Sequence, residues 1–246
     1  MVITIFRLLL LILFTGCASY QKPYIPLTHI DRQALIASIK EFKAISTIRA
    51  AGSLEILSDN VSRYKGRVIV VAKLPSLFRI EFLNLLNQPE AVLTGSGKEY
   101  SFYHGGNLYR GEALPPQIPL SDLQHLPFFL IGWSNIRTND IAEIRHDPDS
   151  RGDVYIIDMN PDDGMHHRVW LKADEGIILR RDVYDNSGNV TTMLLEEYTE
   201  NMGIKFPSRI KITSNSLNMV MRYGRVEINS EVDEALFSTL PYLITI

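Results

Sequence analysis

From residue 53 onward the chain is an almost unbroken succession of period-two segments separated by hairpin-type turns, and that pattern admits few folds. Candidate strands cover 53–57, 63–72, 77–84, 90–94, 99–103, 107–110, 141–146, 153–159, 166–172, 177–184, 191–200, 206–213 and 219–229. Phe78, Ile80 and Phe82 alternate with Leu77, Arg79, Glu81 and Leu83, so one face of that strand is apolar and the other mixed. Gly95-Ser96-Gly97, Gly105-Gly106 and Asp185-Asn186-Ser187-Gly188 carry turn chemistry suited to tight reversals. Hairpin after hairpin makes an antiparallel meander. A sheet of so many strands has to curl, which predicts a strongly curved sheet or incomplete β-barrel.

Two helical stretches interrupt this pattern. Leu35, Ile36, Ile39, Phe42 and Ile45 recur at three-to-four spacing, which predicts an amphipathic helix over 31–48, capped by Thr28 or Asp31 and ended by Gly52. Midway, residues 114–119 form a proline-stiffened lead-in, Ser121-Asp122 offers a cap, and 123–133 is apolar nearly throughout. Pro127 is expected to break or kink that second helix. A last short turn is expected over 231–236. The fold class is therefore mainly β with α: a curled antiparallel sheet covered by short helices.

The N-terminus reads as a targeting segment. Arg7-Leu-Leu-Leu-Leu-Ile-Leu-Phe-Thr-Gly-Cys17 places a basic residue, a short apolar run and the small pair Thr15-Gly16 before the chain's only cysteine. The run is too short to span a bilayer, which takes about 20 apolar residues. It resembles the lipobox of bacterial lipoproteins, which implies an acylated Cys17 as first mature residue. The expected organisation is a signal peptide over 1–16, a lipidated tether over 17–30 containing Pro23 and Pro26, and a single domain over 31–246. Ala18 and Ser19 follow the cysteine with no aspartate, which by resemblance to enterobacterial sorting implies the outer membrane, facing the periplasm. A formal net charge of -3 argues against nucleic acid as a main partner.

Candidate chemistry is sparse. His166 and His167 would point to opposite faces of a strand, and Asp147, Asp149, Asp162 and Asp163 lie in turn sequences, so no metal site is expected. Glu196 and Glu197 likewise should face apart. No nucleophile elbow, zinc-binding helix motif or phosphate-cradling loop occurs, so neither a cofactor nor enzymatic activity is expected. Arg180, Arg181, Arg209, Lys211, Arg222 and Arg225 form a basic cluster, open to two readings: the solvated face of a sheet, or a contact for an acidic carrier or headgroups. Leu85 and Leu86 lie in a hairpin tip, where they either stand exposed to a membrane or fold back into the core. Val68, Val70, Phe78, Ile80 and Phe82 would line the concave face under a lid of Phe128, Phe129, Leu130 and Ile131. That arrangement makes either a filled core or an apolar cavity.

Three stretches carry a family resemblance. Arg49-Ala-Ala-Gly-Ser-Leu-Glu55, Phe82-Leu-Asn-Leu-Leu-Asn-Gln-Pro-Glu90, and Ile118-Pro-Leu-Ser-Asp-Leu123 followed by Leu130-Ile-Gly132 resemble the Lol-type lipoprotein carriers and receptors, LolA-like and LolB-like proteins. The resemblance implies binding of lipoprotein acyl chains or other lipids in the apolar cavity, receipt from a periplasmic carrier protein, and delivery to the membrane through a loop leucine that falls on Leu86. Leu85 and Asn87 stand where LolB-like proteins carry proline and glycine. Lys205-Phe-Pro-Ser-Arg-Ile-Lys211 looks more like wider relatives such as RseB, which implies an alternative: a sensing or scaffold lipoprotein that binds a protein partner in the envelope.

Overall fold

The computed structural model describes residues 29–41, 45–59, 61–97, 99–111, 126–132, 136–150, 153–161, 165–201, 203–215 and 217–238. The signal segment, Cys17, most of the tether and the proposed cap at Ser121-Asp122 lie outside them. Among these residues, no helix is long and apolar enough to cross a membrane.

Thirteen strands form one antiparallel sheet: β1 (Thr47–Ser58), β2 (Val61–Lys73), β3 (Leu77–Leu83), β4 (Pro89–Ser96), β5 (Glu99–His104), β6 (Asn107–Gly111), β7 (Ile141–His146), β8 (Val154–Met159), β9 (His166–Lys172), β10 (Ile177–Tyr184), β11 (Val190–Asn201), β12 (Ile204–Thr213) and β13 (Leu217–Ile228). Their spatial order is β6-β5-β4-β3-β2-β1-β13-β12-β11-β10-β9-β8-β7. Two meanders thus meet where β1 pairs with β13, and among the described residues β6 and β7 form the open edges. Every strand expected from alternation is present.

The helices depart from expectation. Helix α1 spans His29–Glu41, because Ile48 to Ala50 already pair with both β2 and β13 and so belong to the sheet. Gly52 does not end a helix; it sits at a register shift in β1, where an added Cβ would lie 2.1 Å from the Arg222 carbonyl oxygen. Helix α2 spans Leu126–Ile131, with Pro127 as its second residue. Proline occupies its first turn, where the missing N–H has no intrahelical partner to lose. The last turn, Glu234–Phe237, is a 3-10 turn shifted slightly beyond its expected place.

The short α2 touches β2, β3 and β12 together. β3 and β12 stand four strand positions apart, about 19 Å in a flat sheet. Six residues reach both only because the sheet curls around them. Tyr223 of β13 fixes the lid by donating its hydroxyl to the Leu130 carbonyl at 2.6 Å, and its burial pushes the phenol's pKa far up. Gly132 ends α2 at φ +63°, with Pro207 and Ile210 so close that a Cβ would meet them at 2.7 and 2.8 Å. From α1, Leu35 and Ile39 join the same apolar cluster on the concave side.

The convex face of β3 is covered too, which alternation alone did not predict. Val71, Ile69 and Leu77 pack with Phe237, Leu236 and Val232 of the C-terminal segment. Arg79 and Glu81 are completely buried beneath it, joined at 2.6 Å, and Arg79 donates to the Leu236 carbonyl at 3.2 Å. Burial pushes the Glu81 carboxyl above its ordinary range, against the pull of Arg79.

Candidate functional site

The β3–β4 connection is a closed five-residue turn. Asn84 begins it, and its side-chain oxygen accepts from the backbone N–H groups of Leu86 (2.9 Å) and Gln88 (3.0 Å). Its backbone exchanges bonds with Gln88 and Asn87. Asn87 takes φ +61°, a conformation asparagine tolerates better than most residues. The glycine that the resemblance expects there is thus replaced by the next most permissive side chain. Arg67 of β2 clamps the turn by donating to the Asn87 side-chain oxygen.

With its polar groups satisfied internally, the turn leaves its two leucines nothing to pack against. Leu85 is fully exposed and Leu86 77% exposed. The alternative in which they fold back into the core is excluded. Beside them lies an open groove of about 590 Å³, lined by Tyr64, Lys65, Gly66, Arg67, Leu83, Asn84 and Glu90 together with the turn itself. Tyr64 roofs Phe82 edge-on at 4.9 Å, so the groove borders the apolar concave face directly. The other large apolar residues exposed among the described residues are Val61, Leu108 and Tyr109. Val61 opens β2 and Leu108–Tyr109 lie early in β6, near the end of the sheet that carries the leucine turn.

Val68, Val70, Phe78, Ile80 and Phe82 are all buried on the concave face, in one cluster with Leu126, Leu130 and Ile131 of α2. Phe129 packs against that cluster while remaining half-buried, and Phe128 is likewise half-buried. The five residues singled out as wall therefore come together with Phe129, Leu130 and Ile131. Their chemistry is uniform: aliphatic and aromatic surface, suited to hydrocarbon and offering no directional group.

The other half of the concave face differs. Arg181 of β10 and His167 of β9 project into it among Met159, Val169 and Met193, and they touch each other. Sequence inspection grouped Arg181 with an external basic patch. Only the register shift between Ile178 and Arg180 reveals which way it faces.

The rest of the basic cluster is a solvated face tiled with ion pairs. Arg180 binds Asp182 at 2.6 Å and lies over the Trp170 ring. Arg209 and Lys211 bind Glu196 at 3.0 Å, Arg222 reaches Glu197 at 3.5 Å, and Arg225 reaches Glu227 at 3.4 Å. Glu196 and Glu197 do not face apart. Glu197 bulges out of β11 at φ +55°, which turns its carboxylate to the same Arg209. Both carboxylates are occupied by cations.

His166 lies on the convex side, 3.1 Å from Asp158 and opposite in direction to His167. Burial raises the Asp158 carboxyl, but hydrogen bonds and charge from Arg168 and Arg145 outweigh it and hold the group below the usual carboxylate range. Asp147 turns back to its own backbone neighbours, and Asp162 and Asp163 lie outside the described residues. No group of three or more potential metal ligands occurs among the described residues.

No protein-family model matches the chain, and no curated protein matches it. Solved structures do. A DUF1329 family protein from Desulfovibrio piger superposes with a TM-score of 0.59 at 14% identity, covering 83% of this chain and 95% of that one. A domain described as an outer membrane lipoprotein-sorting protein, from Vibrio parahaemolyticus, gives 0.56 at 11% identity, covering 84% and 94%. A LolA superfamily protein from Nitrosomonas europaea gives 0.54 at 12% identity, covering 84% and 97%. At such identities the likeness establishes the fold, and the fold is LolA-like.

Proposed function

We propose that this chain is a lipid carrier of the bacterial envelope that shelters acyl chains of lipoproteins or other lipids against its concave face and passes them to a membrane through the Leu85–Leu86 turn. It is anchored in the outer membrane, facing the periplasm, by an acylated Cys17, and it receives its cargo from a periplasmic carrier protein. No covalent step is involved. Transfer needs only a downhill difference in affinity between donor, carrier and bilayer.

The observation that carries this reading is the turn itself. Two leucines stand in solvent on a rigid, internally bonded scaffold, at the border of an apolar concave face. Burying one leucine gains about 1.5–3 kcal/mol, so the pair gives a weak, reversible hold on a bilayer that a lipid anchor would reinforce. The LolA-like fold supports the reading, since one of the superposing structures is described as lipoprotein-sorting.

The test is transfer of an acylated lipoprotein from a soluble carrier to membranes containing the full chain. Leu86→Glu is expected to lower the rate about tenfold or more, because a charge at the tip opposes entry into hydrocarbon. Transfer at the wild-type rate by a folded Leu86→Glu protein would remove the turn from the mechanism.

A further inference from the structure

The groove beside the leucine turn arises from a mismatch in strand length. β3 ends at Leu83, which pairs with Arg67, whereas β2 begins back at Val61 and, among the described residues, makes pairs only with β1 as far as Gly66. The overhanging β1–β2 hairpin and the 84–88 turn therefore stand side by side, with the space of about 590 Å³ between them. Tyr64 lies along the overhang, its hydroxyl donating to the Arg67 carbonyl at 2.9 Å. It passes so close over Gly66 that an added Cβ there would lie 2.4 Å from the phenol oxygen. A side chain at that position would force the ring aside.

Three charged side chains, Lys65, Arg67 and Glu90, line this groove. Lys65 is matched by Glu55 at 3.1 Å. Arg67 donates through Nη1 to a neutral acceptor, the Asn87 side-chain oxygen, so its charge is unmatched and further N–H donors remain. Glu90 is the extra residue of a bulge in β4: Ala91 pairs with Phe82 and Pro89 with Leu83, and nothing on β3 stands opposite Glu90. A bulge re-aims its side chain. Among the described residues this carboxylate has neither a hydrogen bond nor an ion pair, and its charge, after burial, raises the pKa of the neighbouring Tyr64 phenol. Arg67 and Glu90 do not bind each other, because β2 and β4 lie on either side of β3, about 10 Å apart. The groove thus keeps one open positive group and one open negative group, held apart.

We infer that the groove binds the zwitterionic head of a phosphoethanolamine lipid of the acceptor bilayer, with Arg67 holding the phosphate and Glu90 accepting from the ammonium. This rests on the reading of the Leu85–Leu86 turn as the membrane contact and adds a choice of lipid to it. With the two leucines in hydrocarbon, the groove beside them lies at the level of the head groups. A guanidinium meets phosphate oxygens through paired N–H donors, and a primary ammonium gives Glu90 an N–H bond that a quaternary choline lacks. A glycerol head offers Glu90 no cation and brings a net negative lipid beside it.

The experiment places benzoylphenylalanine at Leu85 in the full chain, reconstitutes it into vesicles of phosphatidylethanolamine, phosphatidylcholine and phosphatidylglycerol in equal parts, and identifies the captured lipid by mass spectrometry. Phosphatidylethanolamine is expected about fivefold above either of the others, which is what an exposed charge pair supplies. Glu90→Gln should level phosphatidylethanolamine with phosphatidylcholine, and Glu90→Lys should turn the preference toward phosphatidylglycerol. Arg67→Met should shrink the phosphatidylethanolamine excess more than Arg67→Lys does. Capture in proportion to the mixture, or a wild-type preference for phosphatidylglycerol or phosphatidylcholine, overturns the inference and leaves the turn as the membrane contact. No lipid captured overturns both. If a Glu90 or Arg67 variant fails to fold, the comparison among the three lipids with the natural residues in place still decides.

Discussion

Leu85–Leu86 and Leu130–Ile131 are near-identical pairs lying between strands, with opposite fates. The first pair stands in solvent and the second is buried to within 1%. Hydrophobicity does not separate them; the residues on either side do. Gly132 stops α2, which delivers Leu130 and Ile131 to the curled face of β2, β3 and β12. Asn84 and Asn87 instead close a turn on itself, so that its tip has no surface to meet. Exposed apolar residues held by satisfied polar bonds are a built feature, and a contiguous apolar tip is a surface for something apolar.

Substitutions at the two sites should respond accordingly. Leu130→Ala empties a fully buried site and is expected to cost about 2–5 kcal/mol in urea unfolding. Gly132→Ala comes next, at about 1–3 kcal/mol, because it combines a left-handed backbone with a close approach to Pro207. Asn84→Ala removes two side-chain bonds from the turn and should cost about 1 kcal/mol while also slowing transfer, since the tip loses its hold. Leu85→Ser with Leu86→Ser should change stability by no more than about 0.5 kcal/mol yet lower lipoprotein transfer strongly. A double serine protein that unfolds easily, or that transfers normally, would erase the distinction between tip and lid.

Much of the architecture was legible because period two and turn chemistry are local. All thirteen strands and the mid-chain helix follow from patterns spanning a few residues, while the meeting of the two meanders at β1 and β13 does not. What was not legible depends on distant partners. The three-to-four spacing runs through Ile45, but Ile48 to Ala50 pair with both β2 and the distant β13 and so belong to the sheet. Arg79 and Glu81 look like solvent-facing alternates, and only the 3-10 turn beginning at Glu234 buries them. Arg181 changes face because of a register shift that no composition signals. At the site, the burial of Val68, Val70, Phe78, Ile80 and Phe82 could be read from alternation, and α2 from its apolar run. The exposure of Leu85 and Leu86 had to await the Asn84 bonds.

The most direct measurement is site-specific cross-linking in living cells with benzoylphenylalanine. Placed at Phe129, half-buried where the lid meets the concave core, it should capture acylated species detectable by mass spectrometry; placed at Arg222, on the convex ion-paired face, it should capture none. Lipid captured equally at both positions, or at neither, would contradict a concave face that shelters hydrocarbon chains.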